Sequence, residues 1–314
     1  MRDGSCVDNK GKGKSQGKGT PNESSSNRKA SVPRHLDPYG KRQGVVRSDD
    51  SGGGDLVEGR NAVIEALRAG VAIDKVYIAS GETDASLKHI ASLARAAGAV
   101  VSETDRRKLD LMSDTHSHQG VIAAAACTGY VLIEDILGIA RKRSEAPLIV
   151  LCDGITDPHN LGAIIRTCEA AGAHGVIIPK HRSAGLSATV AKTSSGAVYH
   201  VAVARVTNMT AAVKELKGNG LWVSGASAGA GTPLWQADMK RPTAFVIGSE
   251  GTGISRLVRD SCDMDVSIPM HGKIASLNAS VSAAVLLFEA VRQRGTDITD
   301  HSDGRGGNVY GGRK

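Results

Sequence analysis

Ile268-Pro-Met-His-Gly-Lys-Ile-Ala-Ser-Leu-Asn-Ala-Ser-Val-Ser-Ala-Ala-Val-Leu-Leu-Phe-Glu289 decides how this chain is read. Its start reads as the end of a strand running from Met264 to Ile268. Pro269 has no N–H and stops the ladder. A loop of small and polar residues follows, and then a helix from Leu277 to Val291 made almost entirely of Ala, Val, Ser and Leu. A helix with small apolar side chains nearly all round packs closely on more than one side. Taken alone, the stretch fits a C-terminal helix that merely closes a core. Two other stretches point further: Phe245-Val-Ile-Gly-Ser-Glu-Gly-Thr-Gly-Ile-Ser255 just upstream, and Asp153-Gly-Ile-Thr-Asp-Pro-His-Asn-Leu-Gly-Ala-Ile-Ile-Arg-Thr167 about a hundred residues earlier.

Working outward, residues 147 to 293 alternate apolar runs with helical patterns. Leu148 to Cys152 is a continuous apolar strand, as expected for the middle of a parallel sheet. Helices over 160–171, 187–194 and 209–217 alternate with strands over 175–179, 200–204, 221–225 and 243–248, and 253–259 reads as a short helix. This rhythm predicts an α/β domain with a parallel sheet and helices on both faces. Residues 55 to 127 read as a smaller α/β unit. Val57 to Leu67 reads as a loop entering an amphipathic helix with Val63, Ile64 and Leu67 on one face; further helices are over 85–97 and 106–112, and strands over 75–79, 99–102 and 120–126. A helix over 133–143 lies in the connection, residues 128 to 146.

Residues 1 to 54 are rich in Gly, Ser, Lys, Arg, Asn and Asp and lack periodic apolar positions, so they are expected to be a disordered basic arm. Lys10, Lys12, Lys14 and Lys18 recur among glycines there; they suit either phosphate contacts or an inert solubilising tail. Residues 294 to 314 read as a flexible tail. With 40% hydrophobic but only 3% aromatic residues, the cores must be aliphatic. A net charge of +7 favours a polyanionic partner.

The five cysteines form no C-x-x-C pair, which argues against a zinc site or a disulfide framework and suits a reducing cytoplasm. No apolar run is long enough to span a bilayer, and no membrane association is expected. His116 and His118 have no further ligand nearby, so they read as a surface loop and no metal is expected.

Gly248, Gly251 and Gly253 allow positive φ or a close backbone approach to a ligand. They are not a dinucleotide fingerprint, because the third glycine of G-x-G-x-x-G is missing and the loop comes late in its domain. No Walker lysine is present either. Ligands in open parallel sheets sit outside the carboxyl ends of the strands, where these loops lie.

Asn160-x-Gly162-x-x-x-Arg166-Thr167, Gly248-Ser-Glu250-Gly251-x-Gly253 and Ile268-Pro269-Met270 through Ser276-Leu277-Asn278-x-Ser280 resemble, in this order and spacing, the three motifs of the SpoU (TrmH) family of RNA ribose 2′-O-methyltransferases. The resemblance covers roughly residues 55 to 293. It implies S-adenosylmethionine as methyl donor, a trefoil knot in the C-terminal domain, an L30e-like substrate-binding domain in front of it, and a homodimer. Glu58-Gly59-Arg60-Asn61 and His118-Gln119-Gly120 match landmarks of the front domain. The nearest subgroup modifies a guanosine of large-subunit (23S) ribosomal RNA. Transfer RNA is the alternative substrate, and a non-catalytic RNA-binding module is the rival class.

Carried over position by position, the resemblance makes Gly248, Ile268 and Leu277 cofactor contacts and Asn160, Arg166, Glu250, Ser276 and Asn278 the catalytic set. Arg166 is expected to hold the phosphate or the developing negative charge rather than act as a base, because guanidinium stays protonated. Asn160 is expected in the loop, as an N-cap or a ribose contact, with Glu250 fixing it. Ser276 and Asn278 are expected to point from the helix N-terminus at the reacting site. Plainer readings remain: an ion pair for Arg166, a helix-capping carboxylate for Glu250, and core packing for Ile268 and Leu277. Arg60 is a candidate RNA contact, with a surface ion pair as its plain alternative.

Overall fold

The computed structural model describes residues 56–81, 84–229 and 232–295, and two sheets organise them. The expected basic arm, residues 1–54, and all but the first two residues of the expected tail lie outside these. The front sheet follows from short aliphatic strands separated by amphipathic helices: β1 (Leu56–Glu58), α1 (Arg60–Arg68), β2 (Ile73–Ala79), α2 (Ala85–Ala96), β3 (Val100–Thr104), α3 (Arg106–Met112) and β4 (Val121–Ala125). Its order is β1-β4-β2-β3, with β2 and β3 parallel and β4 antiparallel to both β1 and β2. Strand β1 was not expected, because three residues are too few to show a period of two.

The Glu58–Asn61 stretch has a structural task. The Glu58 carboxylate accepts from Ser113 Oγ at 2.5 Å, from Asp114 N at 2.7 Å and from the Thr115 hydroxyl, and so ties down the segment after α3. His118 departs from the surface position expected for it. It is buried; its Nδ1 accepts from Gly120 N at 3.0 Å and its Nε2 lies 2.8 Å from Asp110 Oδ1. It holds the turn into β4, and no group of potential metal ligands forms among the described residues.

The second sheet is built from α4 (Ile133–Arg143), β5 (Leu148–Asp153), α5 (Pro158–Ala170), β6 (Gly175–Pro179), α6 (Ala188–Thr193), β7 (Ala202–Val206), α7 (Met209–Gly218), β8 (Trp222–Ala226), β9 (Thr232–Pro233), β10 (Thr243–Gly248), α8 (Arg256–Arg259), β11 (Met264–Ser267) and α9 (Ala279–Arg294). All its pairings are parallel, in the order β7-β6-β5-β10-β8-β11-β9. Alternation along β5 divides the core. Leu148, Val150 and Cys152 face one cluster with α5, α6 and α9, whereas Ile149 and Leu151 face the other with α4, α7 and α8. Helix α4 is therefore a layer of this core through Ile133, Ile136 and Leu137, and not only a connection.

The strand order positions the site. The chain lays down β8 away from β5, and β10 later enters between them; β11 likewise enters between β8 and β9. The carboxyl ends of β8, β10 and β11 thus become neighbours, and the loops leaving them converge. Helix α9 closes the domain. Arg294, in its last turn, donates to the carbonyls of Ala146 at 2.7 Å, Arg241 at 2.8 Å, Met239 at 3.0 Å and Pro147 at 3.1 Å. The packed structure thus continues past residue 293.

His174 supplies a pH-dependent contribution to stability. Its ring is buried, Nδ1 accepts from Leu148 N at 3.0 Å, and Nε2 meets Glu145 Oε2 at 2.9 Å. Burial lowers its pKa below the usual 6.5, outweighing the upward pull of Glu145. The unfolded chain therefore takes up a proton that the folded chain refuses. Stability is full above the unfolded-state pKa and falls as pH drops through it. Melting temperature is expected to fall between pH 7 and pH 5, with a shallower fall in His174→Gln, whose side chain does not titrate. Parallel profiles for the two proteins would remove His174 as the cause.

Candidate active site

The loops after β8, β10 and β11 and the entry to α9 enclose a cavity of about 630 Å³, within the ordinary size of a small-molecule site. Gly248, Ile268 and Leu277 all line it, as do Ser276 and Glu250. Sequence reasoning missed the segment after β8, where Ser227, Ala228 and Gly229 form another part of the wall. Its only signal is a run of small residues after an apolar strand.

The glycine-rich loop folds back on itself. Ser249 and Gly253 exchange backbone hydrogen bonds at 2.8 and 3.2 Å, and the Ser249 and Thr252 hydroxyls meet at 2.7 Å. Gly253 needs its glycine, with φ of 67°. Gly248 needs it for space, because a Cβ there would fall within the backbone of Gly253 and Ile254. Asp153, at the end of β5, accepts from Ser255 N at 2.7 Å and fixes where the loop turns into α8. Asp153 lies opposite Gly248 in the ladder, so the two strand ends stop level.

Beside the cavity two amides and a carboxylate form one cluster. Asn160 Nδ2 donates to Glu250 Oε1 at 3.1 Å. Asn278 Nδ2 donates to Asn160 Oδ1 at 2.9 Å and also to Glu250 Oε1. Asn278 Oδ1 accepts from Ser280 N at 2.9 Å and Val281 N at 3.3 Å, capping α9. One residue from each of the three motifs thus meets in a single network.

Two expectations change here. Asn160 is not an N-cap: Asp157 caps α5, accepting from His159 N at 2.9 Å, with Pro158 in the first turn. Asn160 lies inside that turn. Asn278 spends both ends of its amide on the cap and the network, so it positions its neighbours. Glu250 caps no helix and instead receives the two amide donors.

Arg166 stands apart. It is exposed on α5, does not line the cavity, and makes no hydrogen bond or ion pair among the described residues. At 1.5 Å per residue it sits roughly 9 Å along the helix from Asn160. Arg60 is engaged: its guanidinium pairs with Asp84 and Nε donates to Gln119 O at 3.0 Å. This is the plain alternative foreseen for it.

Residues 147–288 match the model of the SpoU rRNA Methylase family, and residues 56–128 match that described as RNA 2′-O ribose methyltransferase substrate binding. A putative TrmH family tRNA/rRNA methyltransferase of Bacillus subtilis, YacO, is 43% identical over 240 residues, covering 76% of this chain and 96% of that one. The chain belongs to the SpoU (TrmH) methyltransferase family.

Another relative, an uncharacterized tRNA/rRNA methyltransferase of Synechocystis, slr0955, is 44% identical over 77% of this chain and 64% of its own. Among solved structures, the SpoU methyltransferase AviRb from Streptomyces viridochromogenes, in complex with AdoMet, is 27% identical, covers 76% of this chain and 90% of that chain, and has a TM-score of 0.49. As a SpoU enzyme the chain is an RNA methyltransferase that uses S-adenosylmethionine. The cavity suits that donor in size and lining. Small residues let the backbone approach the ligand, and the walls mix apolar residues such as Ile268 and Leu277 with polar ones such as Ser276 and Glu250.

Proposed function

We propose that this chain methylates the ribose 2′-hydroxyl of a guanosine in large-subunit (23S) ribosomal RNA, with its front domain, read as L30e-like, holding the substrate. The observation that carries the reading is the Asn160–Glu250–Asn278 network beside the cavity, which ties the three family motifs into one place. A module that only bound RNA would need neither the network nor a cavity of this size.

In this reading Gly248, Ile268 and Leu277 hold S-adenosylmethionine, largely through main-chain groups. Bound there, it supplies an electrophilic methyl group on a sulfonium. The network sets the relative positions of the α5 and α9 entries, and orientation of the 2′-oxygen in line with that methyl supplies much of the rate. Ser276 faces the same space as a hydrogen-bond partner. Arg166 holds the ribose-phosphate side and stabilises negative charge developing on the oxygen.

Calorimetry on the full chain is expected to give a dissociation constant in the micromolar range for S-adenosylmethionine. Incubation with unmodified ribosomal and transfer RNA, followed by mapping of ribose methylation, tests the substrate. Methylation confined to transfer RNA would move the reading to the alternative, and none in either with the donor bound would end it.

The reading includes a homodimer. Val281 and Phe288, seven residues apart on α9, are 47% and 50% exposed. In this reading a second copy covers this face and its Arg166 serves the cavity of the first, a role open to an arginine that makes no ion pair among the described residues. Light scattering is expected to give about twice the 32.5 kDa of one chain. Leu286 is buried and a poor place to test this; Phe288→Glu is expected to yield folded monomer with little activity. A fully active monomer would overturn the dimer. The late entry of β10 and β11 beside strands already laid down accords with the knotted path that the family resemblance implies.

A further inference from the structure

A second cleft lies between the front sheet and the carboxyl ends of β6 and β7. It is about 290 Å³ in volume and is bordered by Asp74, Lys75, Lys180, His181, Arg182 and Arg205, among others. Four cations face one carboxylate, and that carboxylate is already committed. Asp74 Oδ1 pairs with Arg205 at 2.8 Å, with side chains only 12% and 11% exposed, and also accepts from the Tyr130 hydroxyl. The Arg205 guanidinium further donates to Gly98 O at 2.9 Å and stacks 4.0 Å from the Tyr130 ring centroid. This clamp joins β2 and the front of β3 to β7, so the cleft is preformed.

The other basic side chains are left for something else. Lys180, His181 and Arg182 make no side-chain hydrogen bond or ion pair among the described residues. Among the described residues Lys75 meets the Tyr77 ring, 4.6 Å away, and no carboxylate. Arg182 sits at φ 57°, a conformation unfavourable for a non-glycine residue, which aims this loop away from the path of β6. Burial and the charge of Arg205 lower the Lys180 pKa, so its ammonium gains from an incoming anion.

The cleft also lies in line with the methylation site. Gly248 is opposite Asp153 across the β10–β5 ladder, and the β5–β6 ladder continues the row. The loop after β6 is tied to the loop after β5, with Ala184 N donating to Ile155 O at 2.8 Å and Ser183 Oγ donating to the same oxygen at 3.3 Å. Two strand spacings separate β10 from β6, roughly 10 Å. A chain crossing the carboxyl edge of the sheet from the cavity therefore meets Lys180 and Arg182 next.

We propose that this cleft is a phosphate-binding subsite for the RNA backbone flanking the methylated ribose, with Lys180 and Arg182 as its principal contacts and Lys75 and His181 beside them. It rests on RNA being the substrate. Phosphate contacts position a nucleic acid without reading its sequence, and each adds to the salt dependence of binding.

The test uses full-length protein, a fluorescein-labelled RNA hairpin as the probe, and anisotropy titrations from 50 to about 300 mM KCl, a range in which counterion release is measurable. Lys180→Gln/Arg182→Gln is expected to weaken binding about 10- to 100-fold near 100 mM KCl. It should also make the slope of log K against log salt shallower by about 2. S-adenosylmethionine affinity and melting temperature should stay unchanged. Lys142→Gln/Lys214→Gln removes the same charge from exposed positions on α4 and α7, and should leave the slope nearly as in the natural chain.

Equal losses in both variants would mean general electrostatics and overturn the subsite. So would no loss in the cleft variant while the natural chain binds. If Lys180→Gln/Arg182→Gln is unstable, Arg182→Gln alone is read, with a slope change near 1 expected. Failure of the natural chain to bind RNA even at 50 mM KCl would defeat the RNA reading itself.

Discussion

Arg166→Ala is expected to lower methyl transfer by about 10²- to 10³-fold, the range for removing one preorganised group that stabilises developing negative charge. S-adenosylmethionine affinity should change by less than about twofold. The expectation comes from position. Arg166 lies outside the cavity wall, so its loss removes no cofactor contact, and its exposure on α5 means that alanine leaves no buried void. The helix should tolerate alanine well. A purely structural arginine would behave differently, lowering melting temperature and activity together. Lys at the same position should recover only part of the rate, because an ammonium lacks the planar fork that grips a phosphate at two points. Single-turnover rates with saturating donor, read beside calorimetry, separate these cases. Near-normal turnover in Arg166→Ala would remove it from the catalytic set. If a second copy supplies Arg166, mixing Arg166→Ala with a cavity variant such as Gly248→Ala should restore some activity through mixed dimers, although neither is active alone.

Much of the architecture was legible because its signals are local. Leu148 to Cys152 and Thr243 to Gly248 are continuous apolar runs, and both became central strands. The boundaries of α3, α4 and β6 match the sequence reading; at α3 the reason is a cap, Asp105 accepting from Arg107 N at 3.0 Å, and β6 ends at Pro179. The cavity-lining Gly248, Ile268 and Leu277 were legible only through the resemblance of their motifs to those of the SpoU family.

What was not legible depends on partners distant in sequence. The three residues of β1 become a strand only because β4 offers an edge. The two residues of β9 include Pro233, which sits at the sheet margin where a missing N–H is tolerated. The entry of β10 between β5 and β8 leaves no trace in any window of sequence. His118 is a different case: its partners Gly120 and Asp110 are near in sequence, but the burial of its ring is set by the packing of the front domain and leaves no local mark. The Asp74–Arg205–Tyr130 clamp joins residues as far as 131 positions apart. Asn160 was misplaced by local reasoning for a related cause. Asp157 and Asn160 are both good capping residues, and the Pro158 that follows Asp157 favours the earlier start.

Gly248→Ala is expected to abolish measurable S-adenosylmethionine binding, a loss of at least about 100-fold, and activity with it. The reason is steric and local. The methyl group would collide with backbone atoms of Gly253 and Ile254, and backbone cannot move aside as a flexible side chain can. Relief requires the Ser249–Gly253 turn to open, which breaks its paired hydrogen bonds and shifts Glu250 away from Asn160 and Asn278. Overpacking of this kind typically costs about 1–3 kcal/mol, so the domain should still fold, with its strain placed in the loop that forms the cavity wall. Gly251→Ala is the matched control, because a Cβ there meets open space. It should keep most of the affinity unless the ligand itself approaches that backbone closely. Calorimetry and thermal melts on the two variants decide the matter. Donor affinity in Gly248→Ala within threefold of the natural chain would mean that the converging loops after β8, β10 and β11 are not where the methyl donor sits.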